Sequence, residues 1–132
     1  MKIILPLLLL ALLFTFKLSP PTLEMEQEDY QVYVYPAKWP TREEVKVAAF
    51  REELPQAKEL IRRESNDNPT AINSTSGAGG VPQALPPSKM GCRLTQDIRD
   101  YMCQIFWMKG YVLQRYGSFT NALAWHTEHN WY

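Results

Sequence analysis

The 132 residues suffice for one domain with one modest core, and basic and acidic side chains balance at 14 each. No basic patch marks a nucleic-acid partner, and that class is set aside. Two cysteines, Cys92 and Cys103, suggest one disulfide in an exported chain and mean little in a cytosolic one.

At the N-terminus, Lys2 precedes an apolar run over residues 3–16. As a helix it reaches about 21 Å. A hydrocarbon core is ~30 Å thick, so the run is short for a spanning helix and suits a signal-peptide core. No clear pair of small residues marks a cleavage site. Residues 1–18 are therefore expected to be either a cleaved signal peptide or an uncleaved membrane anchor extended by Lys17 and Leu18. Either way the protein is expected to be exported, to the cell envelope or beyond it. Residues 19–40 read as a proline-rich connector with an acidic patch at Glu24, Glu26, Glu28 and Asp29. Within it, residues 30–35 have strand propensity but lack two-residue alternation and run into Pro36. They read as an extended tether, with a short edge strand as the alternative.

The folded domain is expected over residues 41–132. Thr41 and Glu44 form a capping box. The first helix is predicted over residues 42–53, with Val45, Ala48 and Ala49 on one side and Val47 and Phe50 on another. Leu54-Pro55 ends it, because proline fits only the first turn of a helix. A second helix is predicted over residues 55–65. Ala57, Leu60, Ile61 and Glu64 follow at i, i+3, i+4 and i+7, so they share one face. A carboxyl group at the end of an apolar stripe is partly desolvated and holds its proton more tightly. If still protonated near neutral pH, it can act as a general acid. The other reading of the same spacing is an exposed Glu64 at a frayed end, paired with Arg62 or Arg63.

Residues 69–95 read as a loop or short hairpin, with permissive backbone at Ser76-Gly77-Ala78-Gly79-Gly80. Residues 68–96 contain no Asp or Glu. A third helix is predicted to start after Asp97 and to close at Gly117. Its apolar stripe is Ile98, Tyr101, Met102, Ile105, Phe106, Val112, Leu113 and Tyr116. A fourth helix is predicted from Ser118 or Thr120, with Phe119, Ala122, Leu123 and His126 on one face.

Three segments occur in a set order. They are Glu64-Ser65-Asn66-Asp67-Asn68-Pro69, then Gly77-Ala78-Gly79-Gly80-Val81-Pro82-Gln83-Ala84-Leu85-Pro86, then Arg115-Tyr116-Gly117-Ser118 with a closing Asn130-Trp131-Tyr132. Over residues 41–132 this order resembles the soluble lytic transglycosylase-like domain of the lysozyme superfamily. The nearest pattern is the C-terminal domain of aggregation-promoting-factor proteins of bacteria and their phages. The resemblance implies a mainly α, α+β lysozyme-like fold: a small helical domain with a glycine-rich loop or short hairpin across a saccharide cleft. It implies Glu64 as the catalytic acid and Ser65 as its support. Gly80, Val81 and Gln83 would line the groove, Tyr111 would sit in the helix behind it, and Trp131 and Tyr132 would form a terminal aromatic segment. Asn66 departs from the glycine many relatives carry, and the Cys92/Cys103 pair is not a general feature.

Glycosidases usually employ two carboxyl groups, about 5–9.5 Å apart. Asp67 is expected to leave the helix end toward solvent and Glu128 to be exposed, which leaves Glu64 alone. The expected reaction is cleavage of peptidoglycan glycan strands by one acid, with closure of a 1,6-anhydro ring and no cofactor. A hydrolytic muramidase and a wall-binding module with little turnover are the alternatives. No metal is expected, since His126 and His129 lack a third ligand nearby. His126 is expected to make one core hydrogen bond and His129 to border the groove. The expected partners are glycan strands and, for an uncleaved N-terminus, the membrane; the domain is expected to be a monomer.

Overall fold

The computed structural model describes residues 37–132. The apolar N-terminal run and the connector up to Pro36 lie outside the described residues. Among the described residues the fold is mainly helical, with four α-helices and no strand. No helix among them is long and apolar enough to cross a membrane.

Helix α1, Arg42–Phe50, starts at the capping box. The Thr41 hydroxyl accepts from the Glu44 backbone N–H, and Glu44 Oε2 accepts from Thr41 N–H at 2.7 Å. The helix is shorter than the predicted 42–53. The ring of Pro55 would meet the carbonyl of Arg51 in a continuous helix. The chain instead turns at Arg51, with φ 48°, and passes through a 3₁₀ turn, Arg51–Glu53. Val45, Ala49 and Phe50 are buried, while Val47 and Ala48 face solvent, so the packed face takes residues from both predicted sides and leaves one residue of each outside.

Helix α2, Leu54–Ser65, buries Ala57, Leu60 and Ile61 as its spacing predicts. Asn66 and Asp67 then reverse the chain with φ of 51° and 60°. Asp67 does not leave for solvent. Its Oδ1 accepts from the Tyr101 hydroxyl at 2.7 Å and its Oδ2 from Lys46 Nζ at 2.8 Å. Lys46 is only 8% exposed, so this carboxylate pairs a buried cation and pins the end of α2 to its neighbours.

Helix α3, Ile98–Tyr116, is capped by Asp97 and closed by Gly117 at φ 78°. It packs on α1 and on α4, Phe119–His129, and α4 packs on α2. The buried stripe of α3 is Tyr101, Gln104, Ile105, Met108 and Val112. Phe106 and Leu113, expected inside, are 50% and 41% exposed because they point away from those two packed helices. Ser118 caps α4 through the Asn121 N–H. The Glu53 carboxylate adds a second cap from another element, accepting from Phe119 N–H at 2.9 Å and Thr120 N–H at 3.3 Å.

Between α2 and α3 the chain forms a loop rather than a hairpin, tied by two isolated bridges, Ile72 to Gly79 and Gly79 to Ala84. Gln104 organises it. Its Oε1 accepts from Val81 N–H at 2.8 Å, and its Nε2 donates to the carbonyls of Pro69 at 3.1 Å and Arg93 at 2.9 Å. The Cys92–Cys103 disulfide joins the end of the loop to α3.

Gly80 adopts φ +77°, and a Cβ there would stand 2.7 Å from Gln104 Oε1. Gly110, inside α3, has open space around the same position. Gly80→Ala should therefore cost about 2–3 kcal/mol through a left-handed residue and a displaced hydrogen bond. Gly110→Ala should instead stabilise by about 0.5–1 kcal/mol. Urea midpoints will show shifts of opposite sign; shifts of the same sign would contradict the loop geometry.

Candidate active site

Glu64 stands in the last turn of α2, with its side chain 13% exposed. Arg62 and Arg63 both bind Glu59, each at 2.8 Å, so neither neutralises Glu64. The nearest partner comes from α4 instead: His126 Nε2 lies 2.8 Å from Glu64 Oε1. Burial pushes the Glu64 carboxyl up to about 7 from its ordinary 4.5. Burial also pushes the His126 imidazole below its ordinary value, and the Arg63 charge adds to this. The distance would suit an ion pair, but desolvation opposes both charges. The pair therefore favours a protonated carboxyl beside a neutral imidazole near neutral pH.

The pair opens onto a groove of 610 Å³. Its wall includes Arg63, Asn73, Ser76, Gln83, Leu85, Asn130, Trp131 and Tyr132. Apart from Glu64, no lining residue is acidic. Asp67 is engaged by Tyr101 and Lys46, and exposed Glu128 lines a separate hollow with Arg115, Tyr116 and Trp125. A hollow of similar size, 590 Å³, lies against α1 and α2. The carboxylates on its wall, Glu59 and Asp67, are both ion-paired, so it has no free acid to offer.

The remaining sequence-predicted residues divide into wall, backing and outside. Gln83 lines the groove, held by its Nε2 donating to Gly80 O at 3.0 Å. Trp131, 49% exposed, forms part of the rim. Tyr132 also lines the groove, and its hydroxyl donates to Pro82 O at 2.8 Å, fastening the C-terminal tail to the glycine strip. Gly80 and Val81 are buried behind the wall. The Ser65 hydroxyl donates to Val81 O at 2.9 Å, so it fastens the strip to α2 and makes no bond to the carboxyl group. Tyr111 stacks on Trp107 and lines a side pocket of 100 Å³ with Pro82, Gln83 and Tyr132. His129 does not border the groove. Its ring stacks on Trp125 at 3.8 Å, and its Nδ1 lies 2.9 Å from Trp125 O, so the helix turns it outward.

No family model, curated protein or solved structure matches this chain. Its chemistry is read from the groove itself. Among the described residues, no three His, Cys, Asp or Glu side chains gather as a metal would require. The sequence reading missed the contact between His126 and Glu64. The apolar face holding His126 was legible, but its meeting with α2 depends on the tertiary fold.

The raised Glu64 pKa carries a stability signature. Between 4.5 and about 7 the folded state binds the extra proton and the unfolded state does not. Stability is thus fully present below the lower value and falls as pH rises through the upper one. Glu64→Gln removes that loss. It should match the parent at pH 4 and exceed it by about 3 kcal/mol at pH 8. Urea unfolding at both pH values checks this; an unchanged difference between the two would contradict the shift.

Proposed function

We propose that the domain is a peptidoglycan lytic transglycosylase with a lysozyme-like fold and Glu64 as its general acid and base. The observation that carries this reading is a single desolvated carboxyl group in a groove whose other lining residues include no acid. Glu64 protonates the glycosidic oxygen between N-acetylmuramic acid and N-acetylglucosamine, and that C–O bond breaks. The substrate's own N-acetyl group stabilises the cation at C1. Glu64, now a carboxylate, takes the proton from the muramyl C6 hydroxyl as O6 bonds to C1 and closes the 1,6-anhydro ring. The C6 hydroxyl belongs to the reacting sugar, so it competes with free water through effective concentration. Gln83 and Asn73 offer amides that can hydrogen-bond the sugar without acting as bases. No cofactor is needed.

Supporting features are the ordered segments around Glu64, Gly80 and Trp131, and the Cys92–Cys103 disulfide, which suits an oxidising compartment. The proposed setting is the cell envelope or the medium outside it, with the N-terminal segment as signal or anchor and glycan strands as the partner.

Glu64→Gln should cut turnover by at least ~10²-fold while the domain stays folded. Mass spectrometry of parent digests should find muropeptides ending in 1,6-anhydromuramic acid, one water lighter than hydrolytic products. Reducing muramic ends alone would make the protein a hydrolase. Binding to sacculi without any product would make it a wall-binding module.

A further inference from the structure

We propose that the small pocket beside the groove reads a carboxylate on the branch that a muramyl sugar carries at O3, and that Lys89 is the residue that engages it. This rests on the reading of the groove as a peptidoglycan site. It adds a selection for strands with acidic branches over neutral strands.

The pocket adjoins the groove and shares Gln83, Leu85 and Tyr132 with its wall. At 100 Å³ against the groove's 610 Å³, it suits a substituent and not a further sugar ring. Its lining is partly aromatic. Trp107 and Tyr111 stack with ring centroids 5.1 Å apart, and the Tyr132 ring meets Tyr111 edge-on at 5.9 Å. Lys89 lines the same pocket. It belongs to a 3₁₀ turn, Pro87–Met90, which the buried Met90 anchors. The main chain is thus fixed while the long Lys89 side chain stays exposed.

Charge decides what the branch must carry. Glu64 is the only acidic residue lining either the groove or the pocket. Two neighbouring cations are already engaged. Arg63 is held by Glu59 at 2.8 Å. Arg115 lies 5.7 Å from the Trp131 ring, and its Nη1 donates to the Tyr111 hydroxyl at 3.1 Å. The Lys89 ammonium makes no ion pair or hydrogen bond among the described residues. An ammonium is a compact charge with three donors and no acceptor, so its natural partner is an anion. A muramyl branch supplies one. Its lactyl group ends in a carboxylate in a bare strand; in a substituted strand that carboxyl is amide-linked to a peptide bearing carboxylates of its own. Beside an aromatic wall such a pair gains more than in open water. Gln83 assists from the shared wall: its Nε2 donates to Gly80 O at 3.0 Å, which leaves Oε1 to accept an N–H of the substrate.

Binding is measured on the full chain carrying Glu64→Gln, which leaves the strands uncut, with three probes. These are glycan strands with their stem peptides, the same strands stripped by an amidase to bare lactyl carboxylates, and neutral chitooligosaccharides. Adding Lys89→Met should weaken binding to peptidoglycan strands roughly tenfold, as expected for a lost hydrogen bond to a charged group. Binding to chitooligosaccharides should not change. A loss on substituted strands alone assigns the carboxylate to the peptide, and a loss on stripped strands assigns it to the lactyl group. Lys89→Arg should retain the binding, and salt should weaken the parent more steeply than Lys89→Met. With Glu64 restored, Lys89→Met should raise KM on peptidoglycan with kcat little changed. Unchanged binding to both kinds of strand, or an equal loss on all three probes, would overturn the inference. Lys89 is exposed, so its replacement should leave the urea midpoint where it was. The two readings fail separately. Parental turnover by Glu64→Gln would refute the acid whatever Lys89 does, whereas anhydro products from Lys89→Met at parental KM would refute only the role of Lys89. Absence of binding to any strand would overturn both.

Discussion

Gln104 lies fully buried on α3, and its one amide group answers three main-chain groups, from Pro69, Val81 and Arg93. These come from the start, middle and end of a loop without strands to satisfy its backbone. Buried peptide groups left unpaired cost roughly 1–3 kcal/mol each. The amide thus does for this loop what a sheet ladder does elsewhere. Gly80 has to be bare for the loop to approach so closely, and the disulfide to Cys103 adds a covalent tie one residue before Gln104.

That anchoring determines the environment of Glu64. With Val81 fixed by Gln104, the Val81 carbonyl meets Ser65 and the adjacent Pro82 carbonyl meets Tyr132. The first bond joins the strip to the acid's own helix, and the second brings the C-terminal tail across it. On the opposite side, α4 carries His126 to the carboxyl group. The result is an acid covered by protein on several sides yet open to a groove. Partial burial both raises its pKa and leaves it reachable. Asp67, three residues on, shows the opposite arrangement: a cation and a phenol hydroxyl meet its oxygens, which makes it structural.

The helices were legible in the sequence because their ends carry their own chemistry. The Thr41–Glu44 box, Asp97 and Gly117 cap where they were expected, and of the two expected starts of α4, Ser118 and Thr120, Ser118 is the cap. The stripe of α2, with Glu64 at its end, was legible from spacing alone. The errors share one cause: they concern which side of an element finds a partner. Val47, Phe106 and Leu113 are apolar but face away from the packed layers. Asp67 follows a left-handed turn that aims it inward, and such turns leave no periodic signal. Gln104 sat unnoticed within an otherwise apolar helix, because a buried amide shows its purpose only when the loop beside it is in place. The outward turn of His129 and the inward turn of His126 likewise follow from how α4 lies on α2.

The central claim is that protein burial holds a proton on Glu64 near neutral pH. The most direct measurement is an NMR titration following the side-chain carboxyl carbon of Glu64 in the folded chain. The account predicts a midpoint near 7. A midpoint at the ordinary 4.5 of an exposed glutamate would contradict it.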